Sequence, residues 1–168
     1  MYKIAIIMGS KSDEGIVEKA INVLQEFSVD FEVHVLSAHR CPDEVKDFAI
    51  KARTSGFSVI IAAAGMAAHL AGAVAANTTL PVIGIPCSGG IDGVDALYST
   101  VQMPSGIPVA TVAIDGAKNA AYLALEIISL MDKTVEEQLE EFRKKEKEKI
   151  LEIDKQISKK YQSAGGQQ

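Results

Sequence analysis

The clearest structural signal in the sequence comes from two apolar runs, KIAIIM at Lys3–Met8 and SVIIAAA at Ser58–Ala64. Neither run alternates with polar residues, which is typical of strands in a parallel sheet that helices cover on both faces. A segment of helix length follows each of them. The sequence therefore predicts an α/β fold, a three-layer sandwich built from repeated β–α units.

The same alternation continues along most of the chain. The predicted strands are Lys3–Met8, Phe31–Leu36, Ser58–Ala64, Pro81–Ile85 and Val109–Ile114. The predicted helices are Glu14–Phe27, Pro42–Ser55, Met66–Asn77, Gly93–Val101 and Ala117–Met131, with Pro42 suited to a first helical turn. This order indicates a flavodoxin-like sheet, and we expect residues 1–132 to form one such domain.

The composition changes after Met131. Thr134–Lys160 holds eight acidic and eight basic residues and no Gly or Pro, which predicts one long helix. We expect residues 133–168 to form a helical extension that ends in a frayed tail at Ser163–Gln168. A narrow apolar stripe runs along this helix: Val135, Leu139, Phe142, Ile150, Ile153, Ile157 and Tyr161. The stripe fits a partner surface or a helix folded back on its own domain, and both interpretations stay open.

Composition and charge limit the classes of function that this protein can have. The chain has 168 residues, 48% hydrophobic and 23% charged, the balance of an ordinary globular domain. A net charge of -5 argues against nucleic-acid binding. We find neither a signal-peptide pattern nor a run of about 20 apolar residues, and Cys41 and Cys87 form no metal-binding spacing. These features predict a cytoplasmic protein with no membrane or metal partner.

The loops that follow the predicted strands are the place to search for chemistry. In an open parallel sheet, ligands bind outside the carboxyl ends of the strands. The first four of these loops span residues 9–13, 37–42, 65–69 and 86–90. They contain two of the three histidines, His39 and His69. His34 lies within the second predicted strand, where we expect a packing or surface role.

The first loop offers groups suited to a phosphate. Backbone N–H groups, the hydroxyls of Ser10 and Ser12 and a helix amino terminus could all face an anion, and Asp13 could bind ribose hydroxyls. Ser and Asp are also favoured helix N-caps, so a purely structural role remains open. The loop matches neither the Walker A nor the GxGxxG pattern. The loop therefore offers no motif for ATP or a dinucleotide.

The second and third loops carry the titratable groups. His39 and Arg40 place an imidazole beside a guanidinium fork suited to phosphate or carboxylate, although both could be ordinary surface residues. The third loop is built almost wholly of small residues around Gly65, which fits close approach of a ligand or tight helix packing. His69 follows it and could be a ligand contact or a satisfied histidine at a helix start.

Several of these motifs, taken together, resemble the PurE family. They are MGSKSD at Met8–Asp13, SAHR at Ser37–Arg40, AAHL at Ala67–Leu70, GVDALYSTVQMPSGIPVATVAI at Gly93–Ile114 and KNAAYLA at Lys118–Ala124. The resemblance covers nearly all of Met1–Asp132. It implies an enzyme of de novo purine synthesis with a flavodoxin-like catalytic domain, a ribonucleotide substrate and a homo-octameric assembly.

The resemblance also implies a reaction and roles for residues. Arg40 after the histidine and the AAHL segment are similar to the mutase class, which converts N5-carboxyaminoimidazole ribonucleotide to 4-carboxy-5-aminoimidazole ribonucleotide. His39 would be the general acid/base. Ser10, Asp13 and Arg40 would bind substrate, and the further contacts would be Ser12, Ser37, Gly65 and His69.

The sequence departs from the family pattern at three positions. Threonine is common where Cys41 stands, a second glycine where Met66 stands, and proline where Ala71 stands. Met66 could therefore alter the carbon dioxide pocket that the resemblance implies.

Other functions remain open on the sequence alone. The same pocket could serve a carboxylase that uses free carbon dioxide. A phosphate-binding flavodoxin-like module without catalysis also fits the fold, as does a flavodoxin-like electron carrier, although the chain lacks Trp for a flavin site.

Overall fold

The computed structural model describes residues 2–162 and contains a five-stranded sheet flanked by helices. The strands are β1 (Lys3–Met8), β2 (Asp30–Val35), β3 (Phe57–Gly65), β4 (Val82–Cys87) and β5 (Ala110–Thr111). The helices are α1 (Glu14–Glu26), α2 (Pro42–Lys51), α3 (Leu70–Ala75), α4 (Val94–Val101), α5 (Ala117–Ser129) and α6 (Lys133–Tyr161). A single turn of 3-10 helix, Lys11–Asp13, lies between β1 and α1. The predicted tail at Ser163–Gln168 lies outside the described residues.

The sheet is parallel throughout, with strand order β2-β1-β3-β4-β5. This order confirms the predicted flavodoxin-like fold. The order reverses between β1 and β3, because β2 lies on one side of β1 and all later strands lie on the other. Ligands in such sheets bind at this reversal, outside the carboxyl ends of the strands.

The core fills both faces of the sheet because β1, β3 and β4 are almost continuously apolar. On one face, α1 and α5 pack against Ile4, Ile6 and other buried residues. On the other, α2 and α3 pack against Ile7 and Ile60. Burial on both faces is the physical reason that these strands show no polar alternation.

Helix α6 is divided between two environments. Val135 and Leu139 in its first turns are buried in the core of the same chain, and the Phe142 ring stacks on Tyr122 at 4.7 Å between centroids. Further along, the stripe is exposed: Ile150, Ile153, Ile157 and Tyr161 are 51–70% exposed. The first half of the helix thus folds back on its domain, while the second half has no cover within residues 2–162. No helix in this described part of the chain is long and apolar enough to cross a membrane.

Three elements were predicted with a bound wrong by three or more residues. Helix α2 ends at Lys51 rather than Ser55, because residues 52–56 form turns instead of continuing the helix. Helix α3 begins at Leu70 rather than Met66, because Met66 has the left-handed φ of 55° and starts a turn instead. The last strand, predicted as Val109–Ile114, has only two residues, Ala110–Thr111. It is an edge strand that pairs with β4 alone, so few backbone hydrogen bonds define its length.

Candidate functional site

The four candidate loops meet at the carboxyl ends of β1 to β4. The end of β1 is fixed between its neighbours, since Gly9 N–H donates to the Ala63 carbonyl at 3.0 Å and Leu36 N–H donates to the Met8 carbonyl at 3.0 Å. Loop residues that are far apart in sequence are thereby brought to one edge of the sheet.

The first loop is closed by a reciprocal capping box. Ser12 N–H donates to Ser10 Oγ at 3.3 Å, and Ser10 N–H donates to Asp13 Oδ2 at 3.1 Å. The N-cap role that the sequence left open is therefore present. It fixes the shape of the loop and leaves Ser12 exposed at the surface of the crevice.

Arg40 connects the second loop to the first. Its Nη2 donates to the Gly9 carbonyl at 2.8 Å, and its Nε donates to Ser37 Oγ at 3.3 Å. Ser37 also holds the turn, because its carbonyl accepts from Cys41 N–H at 2.9 Å. The guanidinium is thus held between Gly9 and Ser37 in an exposed position.

The two histidines of the edge are in direct contact. His39 Nε2 lies 2.8 Å from His69 Nδ1, and the ring planes are nearly perpendicular at 81°. Both residues are exposed at the mouth of the crevice. His34 lies elsewhere, with its ring packed on Phe48 at 5.0 Å between centroids, in agreement with the predicted packing or surface role.

Asp13 is the buried carboxylate of the site, at 9% exposure. Burial raises its pKa, and this rise is opposed by hydrogen bonds from Ser10 N–H and the Ser12 hydroxyl and by the charge of Arg40. The neighbouring Cys87 thiol has a pKa raised to about 12, through burial and then the negative charges of Asp13 and Asp115. Cys87 is therefore a neutral thiol at physiological pH.

The third loop is shaped by close backbone packing. A Cβ atom on Gly65 would lie 3.4 Å from the Cys87 carbonyl, so the glycine allows the ends of β3 and β4 to approach closely. Met66 adopts the left-handed φ of 55°, a conformation that glycine takes without strain. Met66 is 67% exposed. Ala71 is buried at the start of α3, at 2% exposure.

Asp115 is a residue at this edge that sequence reasoning missed. Its Oδ1 accepts from Ser88 N–H at 2.8 Å and so connects the fourth loop to the segment between β5 and α5. Asp115 also has a left-handed φ of 56°. The Asp-Gly pair at 115–116 was the available signal, since this dipeptide marks a sharp turn.

A separate groove lies at the opposite edge of the sheet. It measures about 960 Å³ and runs beside Arg53, Thr79 and Pro81, near the start of β4. None of its lining residues is His, Cys, Asp or Glu. Without an acid, base or nucleophile it has little capacity for catalysis, so the carboxyl edge remains the candidate site.

The carboxyl edge combines a pair of imidazoles, a guanidinium, hydroxyls and a buried carboxylate. Within residues 2–162, no group of three or more His, Cys, Asp or Glu is arranged to hold a metal ion. Fold and site together define a flavodoxin-like α/β protein whose crevice is suited to an anionic small molecule and to proton transfer.

Comparison with known proteins gives the family. The family model described as AIR carboxylase matches residues 3–149. The chain belongs to this family.

Relatives with curated names cover most of the chain. An N5-carboxyaminoimidazole ribonucleotide mutase from Methanocaldococcus jannaschii is 52% identical over 94% of this chain and 99% of its own. The mutase of the same name from Escherichia coli is 48% identical over 89% of this chain and 90% of its own. The crystal structure of Treponema denticola PurE superposes with a TM-score of 0.84 at 30% identity, covering 94% of this chain and 99% of its own.

Proposed function

We propose that this protein is an N5-carboxyaminoimidazole ribonucleotide mutase of purine biosynthesis. Relatives of that name are about 50% identical over most of the chain. The observation that carries the proposal is the hydrogen bond from Arg40 to the Gly9 carbonyl. It links the turn that bears His39 to the loop that leads into Ser10–Asp13, and this supports one shared crevice for the proposed acid/base and phosphate-binding groups.

The reaction proceeds in two proton-coupled steps. His39 in its protonated form donates a proton to the exocyclic nitrogen as the carbamate C–N bond breaks and carbon dioxide leaves. Carbon 4 of the imidazole then attacks the retained carbon dioxide, and His39 takes up the proton that carbon 4 releases. Atoms and protons balance over the two steps, and neither an oxidant nor a phosphoanhydride is consumed. We therefore propose that the enzyme needs no cofactor.

The remaining groups bind and orient the ribonucleotide. The Ser10 and Ser12 hydroxyls, the Ser37 hydroxyl and the Arg40 guanidinium are assigned to the phosphate region. Asp13 is assigned to the ribose hydroxyls, since carboxylate oxygens accept hydrogen bonds from vicinal hydroxyls. Gly65 provides room for the ring. The contacts to the phosphate and the ribose lie far from the reacting carbon, and their binding energy holds the imidazole ring in the orientation that the reaction needs.

A second reaction within the same family is the alternative. A phosphoribosylaminoimidazole carboxylase from Saccharomyces cerevisiae is 50% identical over 149 residues, which make up 26% of that longer chain. An assay that compares the carbamate substrate with aminoimidazole ribonucleotide plus bicarbonate separates the two. A mutase converts the carbamate substrate at low bicarbonate. Turnover that occurs only with added bicarbonate identifies the carboxylase instead.

The role of His39 is tested by His39→Asn. An amide cannot transfer a proton, so kcat should fall by about 10²–10⁴, the usual contribution of general acid–base catalysis. The side chain is exposed and outside the core, so the fold should persist. Ligand affinity should stay within several-fold because the phosphate is assigned to other residues. Near-normal turnover in this variant would show that another group transfers the proton.

We propose a cytoplasmic homo-octamer in which the second half of α6 contacts a neighbouring subunit. The exposed stripe from Ile150 to Tyr161 supports this, because it leaves apolar surface without cover in the single chain. Light scattering should give eight times the 17.9 kDa chain mass. A truncation after Lys149 keeps the buried Val135 and Leu139 and should form smaller assemblies. A full-length monomer, or a truncated chain of unchanged assembly size, would contradict the proposal.

A further inference from the structure

The contact between His39 and His69 joins two loops that are 30 residues apart in sequence. Among residues 2–162, it is the only side-chain hydrogen bond that either ring makes. The bond is 2.8 Å long, and the perpendicular rings point a nitrogen of one at a nitrogen of the other. This is a specific pairing of two nitrogens rather than a stacking contact.

The two residues differ in how firmly their backbones are held. His69 is the N-cap of α3, where its carbonyl accepts from Ala73 N–H at 2.9 Å. The next residues, Leu70 and Ala71, are buried at 2% exposure each. His39 instead lies in an exposed turn whose backbone is held by Ser37. His69 is therefore the partner whose backbone is more firmly anchored.

The bond also restricts the protonation pattern. In a neutral imidazole, one ring nitrogen donates a hydrogen bond and the other accepts one. The His39–His69 bond requires a proton on one of the two facing nitrogens and a lone pair on the other. The tautomer of His39 is thus coupled to that of His69, as in other sites where a partner fixes the imidazole.

We propose that His69 is a positioning residue for His39, holding the imidazole in one rotamer and one tautomer for proton transfer. This proposal rests on the proposed function, in which His39 transfers the proton. It assigns His69 an effect on turnover through His39, where the resemblance implied a direct contact with substrate.

Two substitutions of His69 separate these roles. Asn carries its amide atoms at the position of the imidazole Nδ1 and can donate or accept there, whereas Leu fills similar space without a polar atom. A hydrogen bond of ordinary net strength contributes a free energy that corresponds to a rate change of about two- to tenfold when the bond is lost. We expect His69→Leu to lower kcat by this factor with KM unchanged, and His69→Asn to restore kcat to within about twofold of the wild type.

A spectroscopic measurement tests the tautomer directly and does not depend on activity. Nitrogen NMR of protein labelled at histidine, recorded at pH 8, should show a single tautomer for His39 in the wild type and a mixture in His69→Leu. The third histidine, His34, is packed on Phe48 away from the site and supplies the control. His34→Gln should leave kcat and the His39 signal unchanged. The resonances that disappear in this variant belong to His34, so those that remain come from His39 and His69.

The outcomes distinguish the proposal from its alternatives. A raised KM with unchanged kcat in both His69 variants would make His69 a substrate contact and overturn the proposal. A loss of 100-fold or more in both would make His69 itself the proton-transfer group. A His39 ring with mixed tautomers in the wild type would also overturn it. A wild-type protein that fails to convert the carbamate but shows the single tautomer refutes the proposed function and leaves the His39–His69 pairing intact.

Discussion

Replacement of Arg40 by Ala tests the assignment of the phosphate site. The guanidinium has five N–H donors, and in the structure Nη2 is used on the Gly9 carbonyl and Nε on Ser37 Oγ. Three donors therefore remain for a ligand. The side chain is exposed, so Arg40→Ala leaves water in contact with the Gly9 carbonyl and should cost at most about 1 kcal/mol of folding stability.

The expected loss in binding is much larger than this. A hydrogen bond to a charged group contributes about 1.5–3 kcal/mol, which corresponds to roughly 10- to 150-fold in affinity. The loss should appear in the dissociation constant of the product ribonucleotide and in KM. The kcat at saturating substrate should change by only several-fold, because His39 is retained.

Calorimetric titration and steady-state kinetics measure these effects, and Arg53→Ala provides a matched control. Arg53 is also exposed and also donates to a backbone carbonyl, that of Thr79 at 3.3 Å, but it lies at the opposite edge of the sheet. Both variants remove one positive charge, so a general electrostatic effect would weaken binding equally. Equal affinities of the two variants, or affinity within threefold of wild type for Arg40→Ala, would refute the phosphate assignment.

Three further predictions follow from packing and burial. Gly84→Ala should lower Tm by about 2–12 °C in a thermal melt, because the added Cβ would lie 2.3 Å from Thr100 Cγ2; an unchanged Tm would contradict this. Burial raises the pKa of Asp13 above its ordinary 3.8. The contribution of this carboxyl to the free energy of unfolding is therefore lost as the pH rises through its folded-state pKa. Asp13→Asn should remove that part of the pH dependence in denaturant titrations from pH 3 to 8 while lowering activity, and an unaltered stability profile would argue against it. A pKa of about 12 should protect Cys87 from iodoacetamide at pH 7.5, so peptide mapping should find native-state labelling at the half-buried Cys41 first.

The strongest local patterns predicted most of the fold. The bounds of β1 were predicted correctly, and those of β3 and β4 were predicted to within two residues at either end. A strand buried on both faces must be apolar at every position, so its bounds are visible in the sequence. The charged composition of α6 was equally clear and gave its length to within one residue at each end. The site loops followed from the fold class, since parallel strands bring their carboxyl ends to one edge.

Other features depended on contacts that no local pattern records. The start of α3 was missed because Met66 takes a left-handed conformation next to the packed end of β4. The extent of β5 was missed because an edge strand has one pairing partner. The division of α6 into a packed and an exposed half depends on where the domain surface ends, which the apolar stripe alone does not mark.

The sequence by itself determined the alternating β–α order, the apolar strands and most of the residues available at the carboxyl edge. Tertiary structure alone decided that His39 contacts His69 and that Arg40 contacts the Gly9 carbonyl. It alone also brought Asp115, which the sequence analysis missed, to Ser88 at this edge. The reason is physical. Hydrophobic periodicity is a local property of the chain, whereas the distance between two loops is set by strand order and by side-chain rotamers that become fixed only when the sheet is assembled.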